Sequence, residues 1–194
     1  MITRPNTSML LLALVAVIGL VFVSCAAVPI PPESLKTSKN VYLIDRVEGT
    51  TTAYLIKEFH DAPDNSTVNF YISSPGGLVL DEYTIKSAMK QFKARGGIIK
   101  AHIMLEASSA AAMISCEANT VTMEKKSFRM FHTLATYRTK VLKTTPKDAP
   151  LAMLWDWQHE DFVACGLSKT QIDLIEAGHD IYIKSDGTYF TVKP

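Results

Sequence analysis

The chain has 194 residues and is nearly electroneutral, with 20 Lys plus Arg against 19 Asp plus Glu, and 47% of its residues are hydrophobic. Residues 1–28 hold Arg4, no acid and a dense apolar block, so the remainder carries no net charge of its own. This balance excludes a disordered tail, a collagen and a polybasic nucleic-acid binder, and the length suits one domain that buries its own core.

Met9 to Val23 is an apolar run preceded by Arg4 and followed by the small residues Ser24, Cys25, Ala26 and Ala27. That order is the n-, h- and c-region of an export signal. Residues 1–28 are therefore expected to be a signal peptide or membrane anchor. The chain should be exported or membrane-attached, in a periplasmic or other extracytoplasmic location. Three forms fit: a cleaved signal, a retained anchor long enough to span hydrocarbon, or a bacterial lipoprotein signal with Cys25 as the lipidated residue. Phe22-Val23-Ser24-Cys25 resembles the last only loosely, because Phe stands where Leu is usual. Residues 29–39, with Pro29, Pro31 and Pro32, read as a linker unable to form helix or ladder. The folded domain is expected over residues 40–194.

Within it, Val41-Tyr42-Leu43-Ile44 is an apolar, β-forming run and predicts a strand. Thr51 to His60 has helical spacing, and Val68 to Ile72 predicts a second strand ended by Ser73-Ser74-Pro75-Gly76-Gly77. A helix is expected from Leu80 to Ala94, a strand from Ile98 to Met104, and a small-residue helix from Ser108 to Glu117. Thr120 to Met123 and Phe128 to Phe131 predict two more strands. Residues 138–150 are polar and carry Pro146 and Pro150, which predicts a loop. Helices follow at Leu151 to Cys165 and Lys169 to Ala177, then strands at Ile181 to Ile183 and Tyr189 to Val192 around Asp186-Gly187. Strands alternating with helices imply an α/β fold with a largely parallel sheet flanked by helices.

Three segments carry chemistry. Gly76-Gly77 follows a strand and precedes a helix, which lets the backbone approach a ligand and aim N–H groups at it. A plain strand-to-helix turn would look the same. Ser108-Ser109 stands where a strand gives way to a helix. Serine there is most often a cap, but the position also offers a nucleophile the N–H groups and dipole that favour an oxyanion. His132 ends an apolar strand, where histidine is more often structural than catalytic.

Together and in this order the segments resemble a known family. Phe70-Tyr71-Ile72-Ser73-Ser74-Pro75-Gly76-Gly77 is similar to the strand-and-loop signature of the proteolytic subunit of Clp proteases (ClpP). Ala107-Ser108-Ser109-Ala110-Ala111-Ala112 resembles its nucleophile segment, and Met130-Phe131-His132 its histidine segment. Val41 to Val47 and Cys165-Gly166-Leu167-Ser168 with Gln171-Ile172 extend the likeness over most of residues 40–183. The resemblance implies a ClpP/crotonase-like fold and a serine endopeptidase acting on peptides or unfolded protein segments. It implies Ser109 as nucleophile, His132 as general base, Asp180 as the acid, and the backbone N–H groups of Gly77 and Ala110 as oxyanion donors. Asp173 and Asp186 are weaker candidates for the acid. The resemblance also implies a homo-oligomer, with no cofactor, metal or nucleic acid. An ATPase partner belongs to the family, but an exported chain would lack one and act on peptides or unfolded segments alone.

The pattern departs from the family at Leu105-Glu106, where Gly-Gln is usual, at Thr133-Leu134, where Gln-Pro is usual, and at Ala135-Thr136-Tyr137, where a Gly-rich substrate-pairing strand is usual. Three rivals follow. A signal-peptide-peptidase type would use a Ser–Lys dyad, with Lys100, Lys125 or Lys126, and leaves His132 unexplained. A crotonase type would polarise an acyl-CoA thioester, but its glutamates have no clear counterpart. An inactive, ClpP-like module would bind or assemble without cleaving. Elsewhere, Trp155, Trp157 and Phe162 read as packing or interface, Asn65-Ser66-Thr67 fits a glycosylation sequon, and His159-Glu160-Asp161 lacks metal-ligand spacing. The three cysteines lack the spacing of a disulfide framework or zinc site, so Cys116 and Cys165 are expected to be buried thiols.

Overall fold

The computed structural model describes residues 37–134 and 149–193. The leader, most of the expected linker and nearly all of the loop expected at 138–150 lie outside the described residues. Among the described residues no helix is long and apolar enough to cross a membrane.

Seven strands form one mixed sheet: β1 (Ser38–Ile44), β2 (Thr67–Ser74), β3 (Ile98–Ser108), β4 (Thr120–Met123), β5 (Phe128–Phe131), β6 (Asp180–Lys184) and β7 (Tyr189–Val192). The helices are α1 (Gly49–His60), α2 (Val79–Ala94), α3 (Ala110–Cys116), α4 (Ala149–Ala164) and α5 (Lys169–Glu176). The order β1-β2-β3-β5-β6-β7 is parallel from β1 to β5 and antiparallel from β5 to β7. The largely parallel α/β sheet is therefore present, closed on one side by an antiparallel pair. β4 also pairs with β3, beside Lys100 to Ile103, while β5 pairs further along beside Glu106 to Ser108.

Alternation builds the first core. Val41 and Leu43, Val68, Phe70 and Ile72, and Ile99, Ala101 and Ile103 turn one face of β1 to β3 inward. They pack on Leu55 and Phe59 of α1 and on Ile85, Met89 and Phe92 of α2. Phe59 meets Phe70 edge-on at 5.4 Å, and each such fully buried ring contributes about 1.5–3 kcal/mol. A second core joins Phe131 and Ile181 of the antiparallel strands to Phe162, Leu167, Ile172 and Ile175. α3 lies between the two cores: Ala110, Ala111 and Ile114 belong to the first, Ala112 and Met113 to the second.

Three expectations need correction. β3 runs on to Ser108 rather than ending at Met104, and the helix starts at Ala110. The ladder decides this, because Ala107 pairs with Ser74 and Arg129, and Glu106 pairs with Phe128. Ser38 and Lys39, assigned to the linker, are already paired with Thr67 and Val68. Cys116 and Cys165 are not free thiols. They form a disulfide that ties the end of α3 to the residue after α4, across a sequence separation of 49.

Candidate active site

The chain turns from β3 into α3 through Ser109, whose backbone sits at φ 55° and ψ −126°. A side-chain-bearing residue in such a sparsely populated region costs about 1–3 kcal/mol and persists only where its surroundings over-determine it. Here its N–H donates to the Met130 carbonyl at 2.8 Å, and its own carbonyl accepts from the Ala112 and Met113 N–H groups at 2.9 and 3.2 Å. Met130 lies on β5, so the strand that leads to His132 also holds the elbow. The Ser109 hydroxyl makes no cap bond to α3. Its Oγ lies 2.8 Å from His132 Nε2.

His132 is half-buried just past the end of β5. Its Nδ1 is 2.6 Å from the Thr133 carbonyl oxygen, a group that can only accept. Nδ1 therefore carries the proton, the neutral ring leaves Nε2 as the acceptor, and the Ser109 hydroxyl donates to it. His132 is held a second time through its own carbonyl, which accepts from Gln158 Nε2 of α4 at 3.2 Å.

Asp180 opens β6. Phe131 pairs with Ile181 in the antiparallel register, so Asp180 falls opposite His132 one step further along. The two do not hydrogen-bond among the described residues, and Nδ1 is occupied by the Thr133 carbonyl. Asp173 is bound to Lys169, and Asp186 to Thr188 in the β6–β7 turn, so neither faces the histidine.

The glycine loop reaches the same point from β2. Ser74 is buried, and its hydroxyl donates to the Asp45 carbonyl and accepts the Gly76 N–H at 3.1 Å. Gly76 has φ +89°, and a Cβ there would stand 2.4 Å from the Ser108 carbonyl and 2.7 Å from Ser109 Cβ. At Gly77 a Cβ would stand 2.2 Å from the Val47 carbonyl oxygen. Val47 bonds to the residues on either side of Gly77, to the Gly76 carbonyl and the Leu78 N–H, each at 2.9 Å. Backbone alternation then points the Gly77 N–H away from Val47. Among the described residues neither this N–H nor that of Ala110 has an acceptor. Two free donors thus flank the Ser109 elbow.

Lys100, Lys125 and Lys126 are exposed, and among the described residues none bonds to Ser109. Ser108 Oγ instead donates to Glu106 at 3.2 Å, so the second serine of the pair is engaged elsewhere. Among the described residues no group of three or more His, Cys, Asp or Glu side chains could hold a metal.

Two further polar groups lie on the elements around the site. Arg129 lies 5.3 Å from the Phe131 ring centre and 3.4 Å from Cys116 Sγ, and burial pulls its guanidinium below the usual range. Lys86 of α2 pairs with Asp161 of α4 in a largely buried contact. Glu82 Oε1 is 3.5 Å from Lys86 Nζ, too far for a hydrogen bond. Burial pushes the Glu82 carboxyl up to about 8, against the opposing pull of Lys86.

The sequence pointed to Ser109, His132, Gly77 and Ala110 as neighbours, and the fold brings them together. It did not reveal the Met130 and Thr133 carbonyls, the Ser74 hydroxyl or Gln158. Of these only Ser74 carried a signal, as the serine preceding Pro-Gly-Gly. No family model matches this chain, and no curated protein matches it either.

Proposed function

We propose that this chain is a serine endopeptidase of ClpP-like fold, acting on peptides or unfolded protein segments. The observation that carries the reading is the pairing of Ser109 Oγ with the unprotonated nitrogen of His132 at 2.8 Å, on a strained elbow beside two unused backbone donors. A serine hydroxyl is a poor nucleophile unless a positioned base takes its proton. Ser109 Oγ attacks the scissile carbonyl carbon while its proton passes to His132 Nε2. The carbonyl oxygen, now negative, takes the N–H groups of Gly77 and Ala110. Collapse breaks the C–N bond, and His132 gives its proton to the leaving amine. Water then attacks the Ser109 ester by the same exchange and restores the hydroxyl. The Thr133 carbonyl keeps the ring in its working tautomer, and Asp180, opposite His132, favours the imidazolium through space.

Export to an oxidising compartment is supported by the Cys116–Cys165 bond, since such bonds persist there and are rare in the cytosol. The pairing leaves Cys25 as the odd cysteine of three. That leaves its thiol for the lipoprotein form of the leader, or removes it with a leader cleaved further on.

The test is fluorophosphonate labelling and peptide hydrolysis by the wild type and by Ser109→Ala. Wild type should label and cleave, and Ser109→Ala should do neither, with a loss of about 10³-fold or more at unchanged thermal unfolding. Cleavage by folded Ser109→Ala protein would defeat the reading.

A further inference from the structure

The open face of the antiparallel strands runs from the catalytic pair to a basic, aromatic cleft. Pairing across β5, β6 and β7 arranges that face in rows, Phe128 with Lys184 and then Met130 with Tyr182 and Phe190, and the same register carried one step past β5 brings His132 to Asp180, itself paired with Val192. The rings form one platform. Phe128 and Tyr182 are 5.6 Å apart, Tyr182 and Phe190 stack at 4.9 Å, and Lys184 Nζ lies 5.5 Å from the Phe190 centre. At the end of the platform is a cleft of about 520 Å³, whose lining includes Lys125, Lys126, Phe128, Lys184, Asp186 and Phe190.

Its charge is unbalanced. Among the described residues none of the three lysines lies within ion-pair distance of a carboxylate; Asp186 accepts from the Thr188 N–H and hydroxyl at 2.9 and 2.6 Å and its charge acts on Lys184, which leaves Lys125 and Lys126 uncompensated in the lining. The turn that presents Lys125 and Lys126 is closed by the Ser127 N–H on the Glu124 carbonyl at 2.9 Å, with Lys126 in the left-handed region. Of the other acids, Glu106 pairs with Phe128 and accepts from Ser108 Oγ at 3.2 Å, and Asp180 lies at the opposite end of β6, paired with Val192. With three lysines against Asp186 in its lining, the cleft attracts an anion.

We propose that this cleft is a specificity subsite for an acidic segment of the peptide substrate. Its carboxylates would meet Lys125, Lys126 and Lys184, and the neighbouring apolar side chains would lie on Phe128 and Phe190. Strand rise places Phe128 about 13 Å from His132, the reach of roughly four extended residues. The preference is therefore for acid about four residues from the cut bond. The proposal rests on the peptidase reading, but its binding step can be measured without cleavage.

Full-length Ser109→Ala protein is titrated with fluorescent peptides that differ only in a Glu-Glu, Gln-Gln or Lys-Lys pair four residues from a fixed site. The Glu-Glu peptide should bind roughly tenfold more tightly than Gln-Gln at low salt, with the gap closing at high salt. Charge reversal in Lys125→Glu/Lys184→Glu should invert the order and favour Lys-Lys. Should that variant unfold, Lys125→Gln/Lys184→Gln should abolish the preference. Equal binding of all three peptides by folded protein overturns the subsite, and so does a variant that weakens only adhesion to anionic phosphatidylglycerol vesicles. Wild-type cleavage indifferent to the acidic pair sinks the subsite and leaves the peptidase reading standing. Charge-selective binding without cleavage or labelling does the reverse.

Discussion

Strands β1 to β3 and strands β5 to β7 belong to one sheet but are held in different ways. The parallel half is fixed mainly by apolar burial: its inward side chains are sealed under α1 and α2, with Phe59 against both Phe70 and Phe92. The antiparallel half has a smaller core, and all four residues of β7 are exposed. It is secured instead by individual links: the Cys116–Cys165 bond, the Gln158 contact to His132 and the Lys86–Asp161 pair. Ser109 stands on the seam, its elbow supplied by one half and its partner His132 by the other. A pair made this way inherits rigidity from the parallel side and depends on few bonds for the placement of its histidine.

The disulfide should reveal that difference most strongly. For a closed loop of this length the chain-entropy contribution is about 4 kcal/mol. Cys165→Ser or reduction should therefore strip amide protection from β5, β6 and α5 while β1 to β3 keep theirs. Uniform loss in hydrogen exchange would show that the halves behave as one unit.

The next effect is on pH. Glu82 is held protonated by burial, with its carboxyl raised to about 8 from an ordinary 4.5. Between those values the folded chain binds a proton that the unfolded chain has released, so stability falls as pH rises through the window. The loss is on the order of a few kcal/mol, complete above the folded value. Glu82→Gln should flatten the decline. Urea midpoints at pH 5 and pH 9 measure it, and a wild type equally stable at both would refute the assignment.

The smallest effect is expected at Asp180. A carboxylate that fixed the tautomer would cost about 10⁴-fold in rate when neutralised. Here the Thr133 carbonyl does that work, so Asp180→Asn should lower kcat only about tenfold, the value of a through-space charge. A loss near 10⁴-fold would mean that Asp180 replaces the carbonyl on Nδ1 once substrate is bound.

Most elements could be read along the chain because their signals are local. β4, β5 and β7 stand where their apolar runs are, and α5 starts at Lys169 behind a Ser168–Gln171 capping box. What escaped depends on partners distant in sequence. Leu105-Glu106-Ala107-Ser108 has helix-forming composition, yet two neighbouring ladders draw it into β3. Cys116 and Cys165 carry no pairing signal at their separation, and only the packing of α3 against α4 brings them together. Ser109 and His132 were singled out by the resemblance that the order of their segments carries, and the fold sets them 2.8 Å apart. The orienting carbonyl was not, because any residue after His132 would supply it.

The backbone of Ser109 bears on how such a protein would drift. Glycine adopts a positive φ without the steric cost that a Cβ brings, so the substitution that relaxes this elbow also deletes the hydroxyl. Variants chosen for heat resistance alone would gather at Ser109→Gly, and the fold would outlast the proposed chemistry. Among descendants of this chain, a serine kept at position 109 against that pull marks demand for its hydroxyl, and a glycine there marks the end of that demand.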